Sequence, residues 1–445
     1  MRHRFREIVT VAISVGLTVL VMSAGLLLEV RNSLPASSGP SGHPTVGDVG
    51  RQTLGIATES GSAPLASYSD TQQSLGVVAT LTAGFNPDWV TYDSGNGDIY
   101  VPNSFSSNVS VFHGTSVVGS VPVDYSPFSA VYDSGNGYVY VPSNYANDVT
   151  VVSNTSVVAV VSAGTAPEGV AYDDSNGYVY VTNYESSNVS VISGTRLVTA
   201  VPVGSSPNSL VYDPGNGYVY VMNGESNNVS VLSGTSVAGT VRVGSGPQSP
   251  AYDSANGYVY VPNTSSGNVS VISGTTLVRT IAVGLYPSYA VYDPTNGYVY
   301  VLNDGSSNVS VISGVALVTT LNVGGAPSAA VYDVKRGDVL VLGAPSGNVS
   351  VVNGTSVITT IPVGSGPVYG AFDSSNGYSY VAESLSGNVS VIGPVNSSGG
   401  GHSSPLLPGP LWVYIANGVV LAAVVSAIVI YVIRRRRRPP SSASF

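Results

Sequence analysis

Two adjacent positions of an internal repeat carry most of the side chains that could do chemistry in this chain of 445 residues. They follow a proline that recurs every 40 residues, and they differ from copy to copy while most of the repeat does not. The set combines carboxylates, amides and aromatic rings: Asp88, Trp89, Phe128, Glu168, Asn208, Gln248, Tyr289 and Tyr369. Carboxylates and amides hydrogen-bond to polar ligands, and aromatic rings stack on apolar surfaces or cations. These residue types point to ligand binding.

A second variable segment lies between the second and third predicted strands of each copy. With neighbouring loops it adds further acidic and aromatic residues: Asp124, Asp148, Glu185, Glu225, Asp304, Glu383, Phe105, Tyr145 and Tyr184. Variable loops on a rigid scaffold are the usual place for recognition. We hypothesise that this acidic, aromatic rim binds a cationic partner, a divalent ion or a sugar that stacks on the rings. The alternative is that these are solvated loop residues without a ligand.

The inventory of nucleophiles and metal ligands argues against an enzyme. Cysteine is absent, and the four histidines are His3, His43, His113 and His402, of which only His113 falls within the repeats. Neither a Ser-His-Asp triad nor a cluster of imidazole ligands can be assembled from them. We therefore predict no catalytic, metal or cofactor-binding residues. Because carboxylates and tyrosines can act as acids and bases, a hydrolase or lyase at the channel mouth stays as the alternative.

The aspartate of the repeated Asp-x-x-Asn-Gly turn has two interpretations. It could be a calcium ligand, but the residues between are mostly Ser, Gly, Pro, Ala and Thr, and they do not place further oxygen ligands at alternating positions as a calcium loop does. A side chain that caps its own turn is the favoured interpretation.

Sequons for N-glycosylation recur at the start of the third strand of nearly every copy. They lie at Asn108, Asn188, Asn228, Asn268, Asn308, Asn348 and Asn388. On an extracytoplasmic protein these are acceptor sites, so we expect some glycosylation. The alternative is that a turn-to-strand junction simply prefers Asn and Ser.

Eight copies of the 40-residue repeat predict the fold. Each begins with Tyr-Asp or Phe-Asp, from Tyr92 to Phe372, without insertions or deletions. The alternation in Tyr178-Val179-Tyr180-Val181 predicts a strand buried on both faces, and each unit supplies four strands, which is one propeller blade. The segment Gly76–Ala83 matches an outer strand, and the last copy, which stops after Ile392, lacks one. We therefore predict an all-β, eight-bladed β-propeller closed by three strands from one end and one from the other. The alternative is seven blades plus an extra unit.

The repeat resembles the YVTN family of β-propeller repeats. The third copy contains Tyr180-Val181-Thr182-Asn183, and the pattern Pro-x-x-x-x-Tyr-Asp…Asn-Gly-Tyr-Val-Tyr-Val-x-Asn…Asn-Val-Ser-Val covers residues 75–394, although only one copy has the four letters. The resemblance implies a propeller of the archaeal or bacterial cell surface. Members of that family are similar to surface-layer and envelope-binding proteins more often than to enzymes.

The two ends predict anchoring to a membrane. Residues 1–31 form a signal peptide or a signal anchor, because Arg2, Arg4 and Arg6 precede an apolar stretch from Ile8 to Leu28. Residues 32–74 form a Ser/Gly/Pro-rich linker, and residues 395–410 a shorter one. Residues 411–433 form an uncharged stretch that predicts a transmembrane helix. The tail 434–445 begins with Arg434, Arg435, Arg436, Arg437 and Arg438, a stop-transfer signal that keeps it in the cytoplasm.

The expected location is the cell membrane, crossed once or twice, with the propeller (residues 75–394) on the extracytoplasmic side. Residues 34–410 hold 22 carboxylates and six basic residues, a net charge of −16. Such a surface repels phosphate backbones, which excludes nucleic acid as a partner. The predicted partners are the lipid bilayer and an envelope glycan or surface protein. The predicted role is binding, adhesion or envelope structure.

Overall fold

The computed structural model describes residues 73–395. The predicted signal segment 1–31, nearly all of linker 32–74, linker 395–410 after its first residue, the predicted membrane helix 411–433 and the tail with Arg434–Arg438 lie outside the described residues. Within residues 73–395, no helix is long and apolar enough to cross a bilayer.

The described chain folds into eight four-stranded antiparallel sheets, each of which is one propeller blade. The inner strands are β2 (Thr91–Tyr92), β6 (Val131–Asp133), β10 (Pro167–Asp173), β14 (Pro207–Asp213), β18 (Ala251–Asp253), β22 (Pro287–Asp293), β26 (Pro327–Asp333) and β30 (Pro367–Asp373). The second strands are β3 (Asp98–Asn103), β7 (Tyr138–Ser143), β11 (Tyr178–Asn183), β15 (Tyr218–Asn223), β19 (Tyr258–Asn263), β23 (Tyr298–Asn303), β27 (Asp338–Gly343) and β31 (Tyr378–Glu383). The third strands are β4 (Asn108–His113), β8 (Asp148–Ser153), β12 (Asn188–Ser193), β16 (Asn228–Ser233), β20 (Asn268–Ser273), β24 (Asn308–Ser313), β28 (Asn348–Asn353) and β32 (Asn388–Val395). The outer strands are β5 (Ser116–Pro122), β9 (Ser156–Ser162), β13 (Arg196–Pro202), β17 (Ser236–Arg242), β21 (Thr276–Ala282), β25 (Ala316–Asn322), β29 (Ser356–Pro362) and β1 (Ser74–Thr82), and one 3-10 turn spans Asp304–Ser306.

We number the blades 1 to 8 in chain order, so that blade 1 contains β2–β5 and blade 8 contains β30–β32 with β1. The prediction of an eight-bladed, all-β propeller is confirmed, and the alternative of seven blades plus an extra unit is wrong, since the eighth sheet is complete.

The ring closes through the segment that the sequence leaves unpaired. Strand β1 lies antiparallel to β32, with Val77 opposite Ile392 and Leu81 opposite Val389. The register shifts once, between Val77 and Ala79. This pairing covers the edge that β32 would otherwise expose, and an unpaired edge is a site of aggregation.

The apolar core lies between neighbouring blades. The second strand sits in the middle of its sheet and is buried on both faces, as in Tyr178–Asn183. Tyr180 and Val191 of blade 3 pack with Val219 and Leu232 of blade 4 in one such layer. Eight layers of this kind surround the ring, so the loops at its ends stand on a rigid base.

Tyrosine hydroxyls add a polar link between blades. The hydroxyl of Tyr140 donates to the carbonyl oxygen of Gly194 in the next blade at 2.9 Å. Tyr260 and Tyr300 make the same bond. Tyr380 of blade 8 donates to Gly114 of blade 1 at 2.9 Å, so this link also crosses the closure of the ring.

The repeated Asp-x-x-Asn-Gly turn is held by its own aspartate. In blade 3, the backbone nitrogen of Ser175 donates to Asp173 Oδ1 at 3.0 Å, and Asn176 Nδ2 donates to Asp173 Oδ2 at 2.6 Å. Gly177 follows with a φ of +74°, which glycine adopts without strain. The carboxylate therefore caps the turn. No cluster of three or more His, Asp or Glu side chains suited to a metal ion occurs in residues 73–395.

Candidate functional site

The repeated proline positions the side chains at the channel mouth. In every blade the proline pairs with the last residue of the second strand, as Pro87 does with Asn103 and Pro207 with Asn223. In several blades the register then shifts within two or three residues, as it does between Pro207 and Ser209. A bulge of this kind re-aims side chains, and here it directs the residues after the proline towards the channel.

All eight side chains that the sequence singles out line one cavity of about 500 Å³ at this mouth: Asp88, Trp89, Phe128, Glu168, Asn208, Gln248, Tyr289 and Tyr369. Small residues from the same positions complete the lining, among them Ser129, Gly169 and Ser249. The structure thus brings the predicted binding residues together, although it holds no ligand that would test binding.

One wall of the cavity is aromatic. Trp89 of blade 1 stacks on Tyr369 of blade 8, with ring centroids 3.6 Å apart and planes at 17°. Tyr289 of blade 6 meets Tyr369 edge to face at 6.0 Å, and its hydroxyl donates to the Tyr369 hydroxyl at 3.3 Å. Blade 7 has the small, buried Ala329 at this position, which leaves room for the two tyrosines to meet.

Burial raises the pKa of both tyrosine hydroxyls above the usual value, and that of Tyr369 well above it. Both therefore stay neutral at physiological pH. They act here as hydrogen-bonding groups and apolar surface, and not as bases.

The facing wall, from blades 2 to 5, is polar. Asn208 Nδ2 donates to the carbonyl oxygen of Pro247 at 3.1 Å, which fixes the amide, and Ser209 Oγ donates to Asn208 Oδ1 at 3.0 Å. A side chain does not fit at Gly169, because an added Cβ would lie 2.9 Å from the carbonyl oxygen of Asn208. Glycine therefore keeps this part of the wall free of side-chain atoms. The polar wall is thus preorganised by contacts between neighbouring blades.

Glu168 is the titratable group of this wall with the largest shift. Burial raises its pKa to about 7, while a hydrogen bond from Asn144 Nδ2, 3.3 Å from Oε1, opposes the rise. The carboxyl therefore changes charge near neutral pH. It can donate a proton in a hydrogen bond below that pH and accept only above it.

Asp88 lies at the end of the aromatic wall. Asn86 Nδ2 donates to both its carboxylate oxygens, at 2.7 and 2.8 Å. Burial raises the pKa of Asp88, and hydrogen bonds from Ser104 and Asn86 oppose the rise. This carboxylate is held in one orientation before any ligand arrives.

Exposed aromatic rings surround the mouth. Phe128 is 41% exposed, and Phe105 and Tyr145 are each 72% exposed on the neighbouring loops. Tyr125 and Tyr145 form a tilted pair with centroids 5.7 Å apart. The aromatic part of the predicted rim is therefore accessible.

Two residues of the hypothesised acidic rim are not exposed at the mouth: Glu383, and Asp148, which is half-buried with its Oδ1 buried. Glu383 is fully buried, where it accepts hydrogen bonds from the backbone nitrogen of Gly364 at 2.8 Å and from Ser386 and Ser390. It occupies the position of Asn183 in blade 3 and serves the packing of blade 8. It does not contribute an exposed charge.

The sequons at the third-strand starts are part of a structural network. Asn188 is half-buried, its Oδ1 accepts from Asn183 Nδ2 at 2.7 Å, and its own Nδ2 donates to the Ser186 carbonyl oxygen at 3.2 Å. This geometry explains why Asn recurs there. Whether a glycan is attached stays a prediction.

Sequence reasoning missed the third residue after the proline. Val170, Leu210 and Pro250 line the same cavity. Their neighbours alternate as in an ordinary strand, and in blades 3 and 4 the register shift after the proline turns the side chains of Val170 and Leu210 inward. No signal in the residue types themselves reveals that shift.

No family model and no curated protein matches the chain, so the resemblance to the YVTN family stays a prediction. Solved propellers do match. The Dos1 propeller aligns with a TM-score of 0.61 at 12% identity, covering 74% of this chain and 98% of that chain. The C-terminal WD40 domain of Sif2 aligns at 0.60 and 11% identity, covering 72% and 98%. Streptogramin B lyase aligns at 0.51 and 10% identity, covering 72% and 97%. At such identities these likenesses show the β-propeller fold alone.

Proposed function

We propose that the protein is a membrane-anchored, extracytoplasmic binding module that holds an envelope glycan at the channel mouth. One observation carries this proposal: an aromatic wall of Trp89, Tyr369 and Tyr289 faces a polar wall that includes Glu168 and Asn208 across a single cavity. Its volume of about 500 Å³ lies within the range of small-ligand sites.

A sugar ring fits both walls. It presents C–H groups on its flat face, which pack on aromatic rings, and hydroxyls at its edge, which bond to amides and carboxyls. Asn208 and Gln248 supply both donors and acceptors, and Asp88 supplies a fixed acceptor. The aromatic rings around the mouth, such as Phe128, extend the apolar surface for a longer chain.

The two ends of the sequence support the location. The apolar stretch 411–433 and Arg434–Arg438 form a stop-transfer anchor in the proposal, and residues 1–31 direct the chain to the membrane. The propeller would then stand outside the membrane, where envelope polymers and surface proteins are its neighbours. Adhesion and envelope assembly both follow from binding there.

The test is retention of the full-length protein, solubilised in detergent, on immobilised envelope polysaccharide. We expect Trp89→Ala and Asn208→Ala each to weaken retention at least tenfold, which corresponds to ~1.4 kcal/mol. Asp174→Asn is the matched control, since it removes one exposed charge at the opposite turns of the propeller. Retention that is equal in all four proteins, or that requires envelope protein instead of polysaccharide, would reject the glycan proposal.

A membrane-tethered hydrolase or lyase is the second candidate, and the shifted pKa of Glu168 favours it. A carboxyl with a pKa of about 7 is poised for general acid–base catalysis at neutral pH. The two functions separate in the Glu168→Gln variant. If the site is catalytic, the variant binds the polysaccharide but releases no fragments, whereas the wild type releases them over time.

A further inference from the structure

A second site lies in blade 2, where a repeated side-chain network is replaced by oxygen ligands. In blade 3, Asn183 Nδ2 donates to Asn188 Oδ1 at 2.7 Å and to Ser190 Oγ at 2.9 Å. The preceding loop has Gly164 because an added Cβ would lie 2.7 Å from Asn183 Cγ. The same three-residue network occurs in blades 1, 4, 5 and 6, as Asn103–Asn108–Ser110, Asn223–Asn228–Ser230, Asn263–Asn268–Ser270 and Asn303–Asn308–Ser310.

Blade 2 differs at every position of this network. Ser143 replaces the donating asparagine, Asp148 the accepting asparagine, and Thr150 the serine. The loop glycine, which is glycine in the other seven copies, is Asp124. Because Ser143 is shorter than asparagine, the space of the amide group is free. The side chain of Asp124, which an asparagine amide would exclude, can enter that space from the loop. The amide donor is lost, and two carboxylates take part in its place.

Three atoms around that space have no hydrogen-bond partner in the described part of the chain. They are Ser143 Oγ, Asp148 Oδ1 and Thr150 Oγ1. Ser143 is fully buried, and Thr150 is 1% exposed. In the other blades the equivalent atoms of the second asparagine and the serine converge on the amide nitrogen of the first. The aspartate and threonine of blade 2 are therefore aimed at the same point.

The charges at this point are uncompensated. Burial, followed by the neighbouring Asp124 carboxyl, raises the pKa of Asp148 to about 7, and the Ser143 hydroxyl facing it opposes the rise. No basic residue is among the groups that act on this carboxyl in residues 73–395. Asp124 itself is exposed, so the site opens to solvent on one side. Two carboxylates in contact favour either a shared proton or a bound cation.

We propose that Asp124, Ser143, Asp148 and Thr150 bind a calcium ion in the position that the asparagine amide occupies in other blades. The donor set is all oxygen, which suits a hard divalent cation, and Ca²⁺ accepts six to eight such ligands in irregular geometry. Two carboxylates and two hydroxyls supply part of that number, and the open side at Asp124 admits water. Mg²⁺ fits less well because it demands a regular octahedron.

The ion would order one sector of the channel mouth. Residues 124–127 lead directly into Phe128, and Asn144, next to Ser143, bonds to Glu168 in the cavity. The calcium site is formed by residues outside the cavity lining, so this proposal does not depend on which ligand the cavity binds.

The test measures metal binding to the full-length protein in detergent. Terbium, which replaces calcium, is the luminescent probe, since Tyr125 follows Asp124 and its ring pairs with that of Tyr145. We expect one terbium per chain, displaced by Ca²⁺, because the two carboxylates and two hydroxyls form a single oxygen-lined site. Calcium is also expected to raise the unfolding temperature.

Two variants and a control decide the outcome. The pair Asp124→Gly with Asp148→Asn restores the residues of the other copies and is expected to weaken binding at least a hundredfold. Adding Ser143→Asn and Thr150→Ser rebuilds the whole network. This fourfold variant is expected to stay folded, to bind no calcium and to show no change of unfolding temperature with calcium. Asp174→Asn, which removes an exposed carboxylate at the opposite turns of the propeller, is expected to leave calcium binding as in the wild type. Absence of stoichiometric binding, binding that persists in the rebuilt variant, or an unfolding temperature that does not respond to calcium would overturn the proposal.

Discussion

Removing one hydroxyl at the closure of the ring tests how the blades are joined. Tyr380 OH donates to the carbonyl oxygen of Gly114 at 2.9 Å and accepts from Asn376 Nδ2 at 3.2 Å. Tyr380→Phe removes both bonds, and neither partner is fully buried, since Gly114 is half-buried and Asn376 is exposed. Each lost bond therefore costs its net contribution of ~0.5–1.5 kcal/mol. We therefore expect the free energy of unfolding to fall by about 2 kcal/mol, or roughly 3 °C in unfolding temperature for a domain of about 320 residues.

Blade 1 provides the matched control. Tyr100 occupies the same position and is equally buried, but its hydroxyl has no hydrogen-bond partner among the described residues. The turn that it faces in blade 2 carries Asn154 where the other link has Gly114, and Asn96 Nδ2 donates to Asn154 Oδ1 instead. Tyr100→Phe should change stability by less than ~0.5 kcal/mol. Urea unfolding of both variants measures the difference, and equal losses would refute the role of the inter-blade bond.

Three further predictions follow from the same geometry. Gly164→Ala should lower the free energy of unfolding by ~1–3 kcal/mol because its Cβ would crowd Asn183 and Ser186, whereas Gly119→Ala, with only Thr155 Cγ2 at 3.4 Å, should leave urea unfolding unchanged. Burial raises the pKa of Glu168 from 4.5 to about 7, so between these pH values the folded protein holds a proton that the unfolded chain releases. The resulting contribution to the free energy of unfolding is full below pH ~4.5 and is lost as pH rises through 7. Thermal unfolding of Glu168→Gln should therefore depend less on pH in this range. Mass spectrometry of the native protein should find higher glycan occupancy at the exposed Asn154, which begins the sequon Asn154-Thr155-Ser156, than at Asn188, whose amide donates to the carbonyl oxygen of Ser186. The reverse order would contradict the structural role of the Asn188 side chain.

The repeat made the blades predictable. Eight copies in one register place every strand, and the unpaired Gly76–Ala83 segment together with the missing outer strand after Ile392 predicts the closure. Both inferences rest on strand alternation and edge pairing, which are local or follow from counting. The residues that line the cavity were also predictable, because the positions that differ between copies face away from the core that all copies share.

Contacts across the ring were not predictable. The stacking of Trp89 on Tyr369 joins residues 280 positions apart and requires the closed ring. The contact between Tyr289 and Tyr369 requires the small Ala329 of blade 7. The burial of Glu383 reverses the expectation for a loop carboxylate, since its bonds to Gly364 and Ser390 replace those of an asparagine. The pKa of Glu168 depends on burial by neighbouring blades. None of these properties is visible in a single repeat.

Trp89 fluorescence tests the central claim, that the channel mouth binds a glycan, most directly. The chain has two tryptophans, Trp89 and Trp412, so Trp412→Phe makes Trp89 the single reporter in the full-length protein. Titration with soluble envelope oligosaccharides should change its emission in a saturable way, and Asn208→Ala should weaken the response at least tenfold. Emission that stays constant while the protein still binds envelope polysaccharide would place binding elsewhere and contradict the account.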